Sequence, residues 1–172
     1  MRTKLIFVMI IIFGIVITSC KEKVEKVEVA EVKIDLINDE FPEAKQELLD
    51  TWDDIVQSLK DGDMDKLMAF HAYSPKFTEF KNGAPRNGSK ANEAFERNTF
   101  GAVTEVIKFD TKDMLVAVYG DVANVTFHSD FHLKFGEDLV VVNDQISLLF
   151  VKTDKGWKIV SEHHSPLKKE KS

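Results

Sequence analysis

Residues 121–135, DVANVTFHSDFHLKF, constrain the fold more than any other stretch. Val125, Phe127, Phe131, Leu133 and Phe135 alternate with Thr126, His128, Asp130, His132 and Lys134, the period-two pattern of a strand with one dry and one wet face. Such a strand must pair on both edges and cover its apolar face. The neighbouring residues supply the means: VTEVIKF and MLVAVYG precede it, LVVVNDQISLLFVK and GWKIVSEHH follow, and Gly-Asp, Gly-Glu-Asp and Asp-Lys-Gly turns separate them. Everything after Val103 therefore reads as an antiparallel meander.

The chain before it reads as helices. Leu48, Trp52, Ile55, Val56 and Leu59 fall at helical spacing in the segment starting at Phe41, with Gly62 as the stop. DMDKLMAFHAY predicts a second short helix with Leu67, Met68 and Phe70 inward and His71 near its C-terminal end, where the helix dipole favours it as a cap. KFTEF predicts a short strand with Phe77 and Glu79 on one face and Lys76, Thr78 and Phe80 on the other. After an NGAPRNG loop, SKANEAFERNTF predicts a third helix capped by Ser89. Helices followed by strands define an α+β fold in which an antiparallel sheet covers about three helices.

The N-terminus is a different object. Arg2 and Lys4 precede an apolar run from Leu5 to Ile17, too short for a comfortable span, and Ile17-Thr18-Ser19-Cys20 resembles a bacterial lipobox. That resemblance implies cleavage after residue 19, a lipidated Cys20, and attachment to a membrane of the cell envelope, outer membrane or periplasmic face. Each buried acyl methylene contributes about 0.8 kcal/mol, so two or three chains hold firmly. Cys20 is also the only cysteine, so no disulfide supports the fold. Removing Arg2 and Lys4 takes the formal charge from −6 to −8, which argues against nucleic acid as a partner. Residues 20–40 read as a charged tether of roughly 25 Å or more, with a short helix or an added strand as alternatives. The domain runs over 41–166 and a polar tail over 167–172.

LKDGDMDKLMAFH, NGSK, YGDVANVTF and DKGWKIVSEHHS, in that order, make residues 44–166 resemble the SnoaL-like and nuclear-transport-factor-like superfamily, which includes the ketosteroid isomerases. The resemblance implies a conical fold: a strongly curved antiparallel sheet around helices, enclosing a pocket open at one end and often pairing through the sheet as a homodimer. It places Ile55 where the isomerases carry a tyrosine donor and Glu79 where they carry their carboxylate base. In the branch ending in Trp-x-Ile/Val…His-x-Ser, it places Gln145 and Ser147 where an arginine and a threonine stand. The pocket candidates are thus Trp52, Ile55, Glu79, Gln145, Ser147, His163 and Ser165.

Two histidine-rich stretches remain. His128, Asp130 and His132 form a ladder that could hold zinc if a neighbour supplied another ligand, but the polar outer face of a half-buried strand, or a wet dimer surface, is the better account and no metal is expected. In SEHHSP, regular alternation from Trp157 puts Ile159, Ser161, His163 and Ser165 on one face and leaves Glu162 and His164 on the other, in water. No cofactor is expected. The leading expectation is a module binding a small apolar ligand or a partner segment. Its rivals are an isomerase- or lyase-type enzyme using Glu79 or His163 as acid or base, and an assembly protein dimerising through the sheet. The enzyme expectation requires Glu79, Gln145 and His163 to converge on one cavity; a cavity filled by Phe side chains would leave only assembly.

Overall fold

The computed structural model describes residues 33–168. Cys20 and the signal-like segment lie outside the described residues, as do residues 169–172. The compact unit begins at Ile34. Residues 34–39 form a turn in which the Asp35 carboxylate accepts the N–H groups of Ile37 and Asn38. No described helix is long and apolar enough to cross a membrane.

Three helices come first: α1 (Pro42–Lys60), α2 (Met64–Ala69) and, after the short strand β1 (Thr78–Lys81), α3 (Ser89–Phe100). Pro42 starts α1 where a missing N–H costs nothing, and Gly62 (φ 68°) ends it in the left-handed region. Asp63 caps α2 by accepting the Lys66 N–H at 2.9 Å. Ser89 is not the cap of α3: Gly88 holds that position, and the Ser89 hydroxyl donates to the Ser74 carbonyl at 2.7 Å.

Five strands follow: β2 (Glu105–Tyr119), β3 (Val122–Phe135), β4 (Asp138–Val142), β5 (Asp144–Thr153) and β6 (Gly156–Pro166). VTEVIKF and MLVAVYG, expected as separate strands, are one long strand with irregularities near Ile107 and Asp113 that let it curve. The run LVVVNDQISLLFVK divides at Asn143, yet both halves keep one register along β3, from Phe135↔Asp138 to Val122↔Val151. Ser129 holds the division together, accepting the Asp144 N–H at 2.8 Å and donating to the Val142 carbonyl at 3.1 Å. The sheet order is β1-β6-β5-β3-β2, with β4 on β3.

The sheet is mixed rather than wholly antiparallel. β1 lies parallel to β6, pairing Glu79 with Glu162 and Lys81 with His164. Before that contact, the 70–72 segment holds the same β6 edge through Ile159 N–H to the Phe70 carbonyl and Ala72 N–H to the Ile159 carbonyl, both 2.8 Å. The core lies between the concave sheet face and the helices, and includes Leu48, Ile55, Phe127, Phe150 and Trp157.

One irregularity in β6 determines the chemistry of the interior. Leu149 pairs with Ser161, but Phe150 pairs with Ile159, so Val160 is an extra residue bulged out of the ladder. Each extra residue reverses which side chains face in. Trp157 and Ile159 are buried as expected; beyond the bulge it is Glu162 that is buried and His163 that is exposed.

Candidate functional site

Between the sheet and helices α1–α3 lies a cavity of about 260 Å³. Its walls are largely aromatic and aliphatic, with Trp52 and Ile55 from α1, Phe100 from α3, and Phe109 stacked on Phe131 with ring centroids 3.7 Å apart. One wall is polar. It carries Glu96 from α3, Lys81 and Asn82 from the end of β1, His71 after α2, and Glu162 with His164 from β6.

Glu162 is the hub of that wall, 5% exposed. Its Oε1 lies 2.8 Å from His71 Nε2, and its Oε2 accepts from Asn92 Nδ2 at 3.2 Å and lies 3.3 Å from His164 Nε2. Tyr73 extends the chain, donating to Asn92 Oδ1 at 2.7 Å and stacking on the His71 ring. His71 Nδ1 is also 3.3 Å from the Leu67 carbonyl, the cap contact expected of it. Burial alone would push the Glu162 carboxyl up, but the hydrogen bonds from His164 and His71 and their charge hold it below the usual carboxylate range. Burial, and then the Glu162 charge, push the Tyr73 phenol well up.

Two more carboxylates border Glu162. Glu79 is fully buried; its Oε2 accepts from Asn87 Nδ2 at 3.0 Å, while its Oε1 has no hydrogen-bond partner and lies 3.9 Å from Lys81 Nζ. Lys81 Nζ sits over the Phe95 ring at 3.7 Å. Glu96, on the cavity wall, makes no hydrogen bond among the described residues. Burial, followed by the Glu162 charge, raises its pKa well above the ordinary value of 4.5; Lys81 opposes that and Glu79 adds to it. A raised folded-state pKa means that stability is fully present below about pH 4.5 and is lost as pH rises through the folded value. Glu96→Gln is therefore expected to change little near pH 4 and to stabilise the fold by about 1–3 kcal/mol at pH 7. Urea titrations at the two pH values check this; equal effects at both would mean that Glu96 is hydrated.

The site departs from the sequence expectation in identifiable ways. Trp52 and Ile55 line the cavity, and Glu79 lies against its polar wall. Gln145, Ser147, His163 and Ser165 do not belong to the cone: they line a separate groove of about 250 Å³ on the other sheet face, with Thr126 and His128. Glu79, Gln145 and His163 therefore do not converge, and the enzyme constellation built on them fails. Two registers are the reason: Gln145 and Ser147 pair with His128 and Thr126 on the outer face of β3, and the Val160 bulge turns His163 and Ser165 out while placing Glu162 and His164 inside. In the His128-Asp130-His132 ladder, Lys108 and Lys112 hold Asp130 at 2.6 and 2.8 Å, and His128 turns to Asp113 at 3.1 Å. Those lysines and His132 hold the Asp130 carboxyl well below its ordinary range. The cavity is not filled by its Phe side chains.

The sequence predicts α3 itself, as found, but not which of its faces is buried. This helix buries Asn92 and Glu96, one turn apart, and leaves Phe95 39% exposed. The polar face turns inward because its partners, Tyr73 and Glu162, come from elsewhere in the fold.

Residues 48–168 match the family model of the SnoaL-like domain, and the chain belongs to that family. Among curated proteins none matches the sequence. Solved structures share the fold. A candidate dehydratase of the NTF2-like family from Streptomyces avermitilis is 21% identical with a TM-score of 0.63, covering 72% of this chain and 96% of that one. A candidate aromatic ring hydroxylase from Novosphingobium aromaticivorans is 17% identical with a TM-score of 0.62, covering 74% and 91%. An NTF2-like protein of unknown function from Pseudomonas putida is 20% identical with a TM-score of 0.60, covering 74% and 90%.

Proposed function

We propose that the cone binds one small, largely apolar molecule that presents a single polar group to Glu96, Glu162 and His164, and that lipidated Cys20 holds this domain at an envelope membrane. The observation that carries the binding reading is a largely aromatic and aliphatic cavity with a few polar groups, Glu96, Glu162 and His164 among them, gathered on one wall, the usual make-up of a small-molecule pocket. A dry cavity of about 150 Å³ accepts benzene, so 260 Å³ suits one or two rings. An anilinonaphthalene dye should bind saturably, one per chain, and Val142→Trp, which plugs the wall, should weaken binding about tenfold or more, the 1.4 kcal/mol equivalent of one lost contact. Undiminished dye binding by that variant would overturn the cone as the site. For the anchor, radiolabelled palmitate should label the wild type and not Cys20→Ala; equal labelling would sink it.

A second reading, acid–base catalysis of the isomerase or lyase type, has its own support. Glu96, an acid whose pKa is raised, and the His164 imidazole line the same cavity wall, a pair that would pass protons to and from a carbonyl compound. A two-ring ketone such as 2-tetralone, incubated in D2O, should exchange its α-protons faster than in buffer. His164→Gln should remove about 10²-fold of that rate while dye binding persists. Exchange no faster than buffer would leave binding alone.

A further inference from the structure

We propose that Glu79, Glu162 and His164 form a binding site for one divalent transition-metal cation of the zinc(II) class, open on its fourth side to the cone cavity. This is independent of the ligand reading, because metal uptake is measured with no organic molecule present.

The argument begins with strand pairing. The parallel β1–β6 register sets Glu79 beside Glu162, and His164, two residues on, faces the same way. One ligand atom from each of the three lies within 4.8 Å of the others, the grouping of this kind found among the described residues. One edge of the triangle already has metal-site dimensions: His164 Nε2 and Glu162 Oε2 are 3.3 Å apart. Two tetrahedral ligands each at about 2.0–2.1 Å from zinc are separated by about 3.3 Å.

Glu79 supplies the independent sign. It is 0% exposed, Asn87 occupies only its Oε2, and its Oε1 is a buried acceptor with no hydrogen bond. Such an atom costs about 1–3 kcal/mol unless something satisfies it. The nearest cation, Lys81 Nζ, stops at 3.9 Å, beyond hydrogen-bond distance, with its ammonium resting on Phe95. A metal between Glu79 and Glu162 satisfies that oxygen, and the partly exposed lysine can turn away toward solvent.

The supporting contacts are those that orient ligating carboxylates elsewhere. Asn87 fixes Glu79 through Oε2 and leaves Oε1 open, while His71 holds Glu162 Oε1; Glu162 Oε2, which also accepts from Asn92 at 3.2 Å, faces His164 and is the oxygen a metal would share. Mixed nitrogen and carboxylate donors favour zinc, cobalt or manganese over calcium and magnesium, which ask for six or more oxygens. Three protein ligands with an open side is the arrangement of sites that bind water or substrate rather than purely structural ones.

The test uses the full-length protein in detergent, stripped with a chelator and titrated with Co(II). The expected result is a one-per-chain endpoint with visible d–d absorption of four- or five-coordinate cobalt, displaced by Zn(II). Zn(II) should also raise the wild-type melting temperature, a readout that needs no variant. Glu79→Gln, nearly isosteric, and His164→Gln should each weaken Co(II) binding by about 100-fold. His128→Gln, on the outer groove, should leave it unchanged. Featureless or non-saturating titration, no thermal shift with Zn(II), affinity unaltered by Glu79→Gln, or loss of binding on His128→Gln would each overturn the site. None of these outcomes bears on dye binding in the cone.

Discussion

Glu162→Ala should destabilise the protein by about 3–5 kcal/mol, the cost of breaking a buried ion pair by removing one partner. The side chain itself is small; the effect arises from what it leaves behind. His71 Nε2, Asn92 Nδ2 and His164 Nε2 all converge on this carboxylate. Without it, imidazole nitrogens and an amide donor remain in a dry interior without the carboxylate they bond. Since domains of this size have total stabilities of about 5–15 kcal/mol, the variant should be marginal at room temperature. Glu162→Gln keeps the shape and one acceptor, and should cost less than half as much. Urea unfolding, with the midpoint displaced and the slope unchanged, measures both. A loss below about 1 kcal/mol for alanine would mean the carboxylate is hydrated and the polar wall is not preorganised.

The second large effect concerns packing. Phe150→Ala should cost about 3–5 kcal/mol, because Phe150 is 0% exposed and pairs with Ala123, itself fully buried, across β3 and β5. Truncation there opens a hole that close-packed neighbours cannot fill. Phe131→Ala removes the same atoms but should cost clearly less. Phe131 borders the cavity, so part of its surface already lacks contacts, and only its stacking on Phe109 and the sheet-side packing are lost. Thermal or urea unfolding of the two variants checks the ordering. Equal costs would imply that the cavity closes in solution, and the binding reading would weaken with it.

The comparison between Phe150 and Phe131 shows how much was legible in advance. Both are apolar residues in alternating strands, and alternation alone turns both inward. Nothing local distinguishes the residue that fills the core from the one that lines a void, because the difference lies in the helices across from them.

The polar residues separate the two levels more sharply. Helix and strand periods depend on neighbours within a few positions. The order of helices then strands, the inward face of α1, the alternation of β3 and the shared facing of Phe77 and Glu79, both buried, were therefore legible in the sequence. The motifs that run through these elements also pointed to the family. Which histidines and carboxylates meet was not legible. That depended on one unpaired residue, Val160, placed where the edge of β6 passes from the 70–72 segment to parallel β1. No residue type in Ile159-Val160-Ser161 signals a bulge, and a bulge inverts the facing of every residue after it. Tertiary contact thus moved His163 and Ser165 to the outer groove and brought Glu162 and His164 inside, against Glu79, His71 and Asn92. Those partners come from three other elements, and only the folded chain brings them together.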